Sequence, residues 1–124
     1  MTAIDVLFLL MLLFMKHFIV DFPLQAHPYQ YKNKGTYGHP GGILHSGLHV
    51  AGTLICLVFF APLQLAAILS VIDGLIHYHI DWAKMNLNKK FGYGPTTHEE
   101  FWVLLGLDQL LHALTYIGIV AYLI

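Results

Sequence analysis

The sequence has no arginine, a single cysteine and very little charge. Charged residues make up 10% of its 124 residues, against about a quarter in a typical soluble domain. A formal net charge of −1 without arginine offers no concentrated basic face for nucleic acid. Cys56 stands alone, so a disulfide scaffold is excluded and the redox compartment cannot be read from it. No internal repeat and no low-complexity segment is present. What the chain has in abundance is apolar residues, 57% of the total, and nine histidines, far more than packing in a chain of this size requires.

The apolar residues gather in four stretches, at about 4–22, 43–60, 65–82 and 101–124. Each approaches the roughly 20 residues needed to cross a bilayer. The expected fold is all-α: a polytopic membrane protein whose residues 1–124 form one antiparallel bundle of four transmembrane helices. Only Ala61, Pro62, Leu63 and Gln64 separate the second and third stretches, which makes those two an antiparallel pair. The first stretch is not expected to be a signal peptide, because no basic residue precedes it and no small-residue cleavage site follows. Two polar loops, 23–42 and 83–100, then lie on one side of the membrane. They and the adjacent end of the first helix carry all six lysines. The positive-inside rule makes that side cytoplasmic and leaves both termini outside, with Trp82 and Trp102 at the interface. Asp5 is expected to cap the first helix, and Gly47 with Ala51 to let two helices approach closely.

Ionisable residues inside a membrane helix cost a few kcal/mol or more each, so they normally have partners and a task. Here they recur every four residues: His17 and Asp21, His45 and His49, then Asp73, His77 and Asp81, and finally Asp108 and His112. That spacing puts each set on one helix face, its members about 6 Å apart along the axis. The chain reverses direction between stretches, yet all of these residues land in the lysine-side half, within roughly 15 Å of the interface. Any one pair could serve as helix-to-helix hydrogen bonding. Four pairs in one leaflet point to a shared centre.

Carboxylates cannot share a low-dielectric pocket as unpaired ions. The only lysine expected at that depth is Lys16, whose side chain can snorkel outward. Two divalent cations would balance four carboxylates, whereas one would fall short. Mixed imidazole and carboxylate ligation suits zinc, manganese, iron or nickel. The expected ligands are His17, Asp21, His45, His49, His77, Asp81, Asp108 and His112, some of which can instead orient the others. Asp73 is the candidate general base or supporting carboxylate. Gln25 and Gln109 are candidates for orienting substrate or ligands, and Lys34 and Lys84 for receiving a phosphate at the mouth. His27, His39, His79 and His98 are expected to be solvated.

The strings that carry this pattern are H17-F-I-V-D21-F-P-L-Q25, K34, H45-S-G-L-H49, H77-Y-H-I-D81-W-A-K84 and D108-Q109-L-L-H112. Together they resemble an uncharacterised family of small bacterial and phage membrane proteins, known only as a domain of unknown function. The resemblance covers essentially the whole chain. It implies a shared membrane fold, a shared polar site and a bacterial inner (plasma) membrane location, but no reaction. A looser likeness to membrane-bound metal-dependent hydrolases favours hydrolysis. The leading expectation is therefore a metal-dependent hydrolase in which a metal-activated water is the nucleophile. Its site beneath the headgroups suits an amphiphilic phosphate first and a soluble phosphoester from the cytoplasm second, with membrane lipid around it and a homodimer as an available assembly. Three other readings stand beside it: a metal or proton transporter or relay, a redox protein with di-iron or haem, and a non-enzymatic phage-type membrane effector.

Overall fold

The computed structural model describes all 124 residues and is built from helices alone. They are α1 (Ala3–Asp21), α2 (Pro28–Tyr31), α3 (Pro40–Leu57), α4 (Leu63–Phe91) and α5 (Glu99–Leu123), with a 3-10 turn at Leu24–Ala26. All but α2 are long and apolar enough to cross a membrane. The chain is thus a multi-pass membrane protein of four transmembrane helices.

Each long helix starts for a local reason. At α1 the Thr2 hydroxyl accepts from the Asp5 N–H at 3.2 Å while the Asp5 carboxylate accepts from the Thr2 N–H at 2.7 Å. This reciprocal capping box bears out the expected capping role of Asp5. Helix α3 opens with Pro40 in its first turn, where the missing N–H costs nothing, and the His39 ring accepts from the Gly41 N–H. Helix α4 follows Pro62 and ends at Gly92, whose φ of 66° admits glycine without strain. Glu99 and Glu100 occupy the first turn of α5, where the helix dipole favours negative charge.

The four long helices close a ring in which α3 packs on α1 and α4, and α5 packs on α4 and α1. Large apolar residues such as Ile4, Leu7, Ile55, Leu75 and Val103 face outward, as a bilayer allows. The interior is divided. Toward the termini it is apolar, with Leu9, Leu13, Cys56, Leu57, Ala66, Leu69, Ile119 and Val120 packed together. Toward the loops it is polar, and the buried residues are histidine, aspartate and lysine.

Three expectations are revised. Helix α4 runs well past Trp82 to Phe91, because the loop before α3 packs on its extension: Asn86 donates to the Gly35 carbonyl at 2.8 Å, and Tyr37 packs against Tyr78 and Trp82. Gly47 and Ala51 face outward, with open space around Gly47. The close approaches are made at Gly74, where a Cβ would collide with Val50 of α3, and at Gly52, where one would lie 2.6 Å from Lys16 Cγ. Ser46 seals the first by donating to the Gly74 carbonyl at 2.5 Å. Finally, Lys16 does not snorkel: it turns inward and is only 6% exposed.

Candidate metal centre

The four-residue spacing does what a helical face requires. Residues from α1, α3, α4 and α5 converge near the loop end, and none of His17, Asp21, His45, His49, His77, Asp81, Asp108 and His112 is more than 8% exposed. Their ligand atoms form three overlapping groups, each with all atoms within 4.8 Å of one another. One is His17, Asp21, His49 and His77; the next is Asp21, His45, His77 and Asp81; the last is Asp81, Asp108 and His112. Asp21 and His77 are common to the first two groups, and Asp81 links the second to the third. All eight residues expected as ligands therefore meet in one buried cluster.

Asp21 sits at its head. Its Oδ1 lies 2.9 Å from His49 Nε2, 3.1 Å from His45 Nε2 and 3.4 Å from His77 Nε2, while its Oδ2 lies 3.0 Å from His17 Nε2. Asp81 faces two ways. Its Oδ2 is 3.3 Å from His45 Nε2 and 3.2 Å from His77 Nε2, and its Oδ1 is 3.4 Å from His112 Nε2. Asp108 Oδ1 is a further 3.5 Å from His112 Nε2. The imidazoles of His49, His77 and His112 stack, with ring centroids 3.5 Å and 4.0 Å apart. Three atoms at the α4–α5 side, Asp81 Oδ1, Asp108 Oδ1 and His112 Nε2, are buried without any hydrogen-bond partner.

The neutralisation differs from that expected. Lys16 pairs with Asp73 at 3.1 Å, Lys34 with Asp81 at 3.0 Å and Lys84 with Asp108 at 3.2 Å. The loop packed on α4 brings Lys34 in, and the backbone of α4 carries Lys84 one turn beyond Asp81. Both lysines, read from the sequence as phosphate receivers at the mouth, are thus turned onto carboxylates. Only Asp21 lacks a lysine, and four imidazoles surround it instead. The premise that metal ions alone must balance four carboxylates gives way: three are already paired.

Asp73 lies apart from the three groups, held by Lys16 and by the Thr53 hydroxyl at 2.5 Å. Gln109 bridges α1 and α5, accepting at Oε1 from His17 Nε2 at 3.0 Å and donating to Asp108 Oδ2 at 2.9 Å. Gln25 donates to the Asp21 carbonyl at 2.7 Å. His27 and His39 cap α2 and α3, while His79 and His98 are exposed.

Four contributors escaped the sequence reading. Thr53 and Tyr116 had a usable signal, since each continues a four-residue series by one turn beyond His49 and His112. Lys16 is expected at the right depth, but its inward turn is not. Gln30, which accepts from His45 Nδ1 at 3.2 Å, sits in α2 and carried no pattern at all.

A centre of this kind, with mixed nitrogen and oxygen donors in a buried cluster, can hold a divalent transition metal. No curated protein and no solved structure matches the chain. A family model does, over residues 9–124, and the chain belongs to the family described as Protein of unknown function (DUF3307).

Proposed function

We propose that this chain is a membrane-embedded, metal-dependent hydrolase acting on a phosphate-bearing amphiphile. The observation that carries the reading is the trio Asp81 Oδ1, Asp108 Oδ1 and His112 Nε2, which face one another across 3.4 and 3.5 Å, buried and with no well-formed hydrogen bond. Leaving such a group unpaired costs about 1–3 kcal/mol, more when it is charged. A divalent cation held by these three residues would satisfy all three atoms. Asp21, His45, His77 and Asp81 would hold a second ion. Zinc, manganese and iron fit these donors.

Charge and shape support a phosphate-bearing lipid as substrate. Four carboxylates against three lysines leave one negative charge, so a single divalent ion already makes the pocket cationic, and a second more so. An anionic phosphate complements that excess. Between α4 and α5 lies an apolar groove of about 530 Å³, walled by Leu75, Ile76, Ile80, Leu104, Leu107 and Leu111, with Lys84 and Asp108 in its lining. Asp108 belongs to the trio, so a hydrocarbon chain in the groove sets its headgroup beside the centre. Bound metal supplies Lewis-acid polarisation of the phosphoryl oxygens and a more acidic water. Water adds to phosphorus, the bond from phosphorus to the ester oxygen breaks, and the departing alcohol takes up the proton that water released. Asp73, engaged by Lys16 and Thr53, leaves the role of base to the carboxylates of the centre. The lysine-bearing loop end is the cytoplasmic one in this reading, with both termini outside a bacterial inner membrane.

Two observations favour this over its rivals. The imidazole stack, at 3.5 and 4.0 Å, leaves no room for a haem between the rings. The terminal half of the core is packed with Leu9, Leu13, Leu57, Leu69, Ile119 and Val120, which offers protons or metal ions no polar path onward. Elemental analysis of detergent-purified protein tests the reading. One or two equivalents of transition metal, lost in an Asp81→Ala, Asp108→Ala double variant, are expected. Phosphate release from phosphatidic acid in mixed micelles should vanish with the metal. A well-folded wild type that refuses added zinc, manganese and iron would end it.

A further inference from the structure

We infer that His17 and His49 are not metal ligands but N–H donors that hold Asp21 in place, and that Lys16 and Tyr116 fix them in that role. The consequence for the ligand count rests on the metal centre proposed above; the hydrogen-bond roles themselves do not.

A neutral imidazole has one N–H and one lone pair, and an ammonium group is a donor only. Lys16 Nζ has three acceptors for its three protons: Asp73 Oδ2 at 3.1 Å, the Tyr116 hydroxyl at 3.1 Å and His49 Nδ1 at 3.2 Å. The lone pair of His49 is therefore spent on Lys16 at Nδ1. Its proton is on Nε2, which lies 2.9 Å from Asp21 Oδ1 and donates to it. The Tyr116 oxygen accepts from Lys16, so its own proton goes to His17 Nδ1, 2.8 Å away. The His17 proton is in turn on Nε2, between Asp21 Oδ2 and Gln109 Oε1, both at 3.0 Å. One buried lysine thus sets two imidazoles. Gly52 makes its approach possible, since any side chain there would strike the Lys16 stem.

His45 is wired in the opposite sense. Gln30 donates through Nε2 to the Leu24 carbonyl at 3.1 Å, which orients its amide and turns Oε1 toward His45 Nδ1. That ring therefore keeps a proton on Nδ1 and turns Nε2 toward Asp21, Asp81 and His77, where a bound cation would take its lone pair. His112 Nε2 faces Asp81 and Asp108 without a partner, and His77 Nδ1 also has none. The cluster therefore separates into three ligating imidazoles, His45, His77 and His112, and two that orient a ligand carboxylate from outside. Lys16 and Tyr116 are positioning residues.

Nitrogen-15 NMR of histidine-labelled wild type in lipid nanodiscs tests this, with ring signals assigned through single His→Gln variants. In metal-free protein His17 and His49 should show the Nε2–H form, and His45 should carry a proton on Nδ1. Adding Zn²⁺ alone should shift Nε2 of His45, His77 and His112 and leave Nε2 of His17 and His49 protonated. An Nδ1–H form at His17 or His49, or a zinc shift at either Nε2, overturns the inference. Lys16→Met should release His49 to a mixture of forms; an unchanged His49 spectrum also counts against it. Zinc content adds a second readout, with His49→Gln keeping the wild-type stoichiometry and His45→Gln losing at least one equivalent of zinc. Failure of the wild type to bind zinc would strike the metal centre, while the metal-free spectra still decide the histidine roles.

Discussion

The two halves of this bundle are built from the same four helices and solve opposite problems. The terminal half packs Leu9, Leu13, Leu57 and Ile119 into an apolar core inside an apolar solvent, so cohesion there comes from close fit rather than from escape out of water. The loop half buries four carboxylates, five imidazoles and two lysines. Its cohesion is electrostatic, and it holds only while each charge keeps its partner. The difference shows where function can reside. The packed half has only the buried Cys56 thiol as a reactive group, and the polar half has the ionisable ones.

Perturbing each half in turn sharpens the contrast. The largest effect is expected from splitting a buried ion pair. Lys16→Met leaves Asp73 with only Thr53 and should cost about 3–5 kcal/mol, whereas Lys16→Met with Asp73→Leu should recover part of that loss by removing the unpaired charge. Denaturant unfolding in detergent gives both values, and equal losses in the two variants would mean that the polar half is not held by paired charge. Next comes the packed half, where Leu13→Ala should cost about 2–5 kcal/mol through the cavity it opens. Metal content in that variant should be unchanged, and a loss of metal there would show that the halves are coupled. The smallest contrast lies along the helix seams. Gly74→Ala forces α3 from α4 and should cost about 1–3 kcal/mol. Gly47→Ala, on the outer face, should stay within about 0.5 kcal/mol.

Much of this was legible from the residues. The four apolar stretches, the shared lysine side and the i, i+4 series on each helix follow from the length and period of a helix. So does the convergence of His17, Asp21, His45, His49, His77, Asp81, Asp108 and His112 at one depth. The lysine pairings were not legible. The sequence places Lys16 at the depth of the site and Lys34 and Lys84 at its mouth. A long flexible side chain can snorkel or turn inward from the same Cα, so their carboxylate partners could not be read. The pairing of Gln30 with His45 depends on a loop of irregular backbone, for which no period exists.

By itself the sequence determined that four helices cross a membrane and that their polar faces meet near one surface. Period and length are local properties, and the bilayer converts them into depth. Only the tertiary structure decided which charges neutralise which, that Asp21 alone is left to imidazoles, and which nitrogen of each ring faces the centre. Those are matters of a few tenths of an ångström between side chains on different helices, settled by where the helices pack and by the glycines that let them.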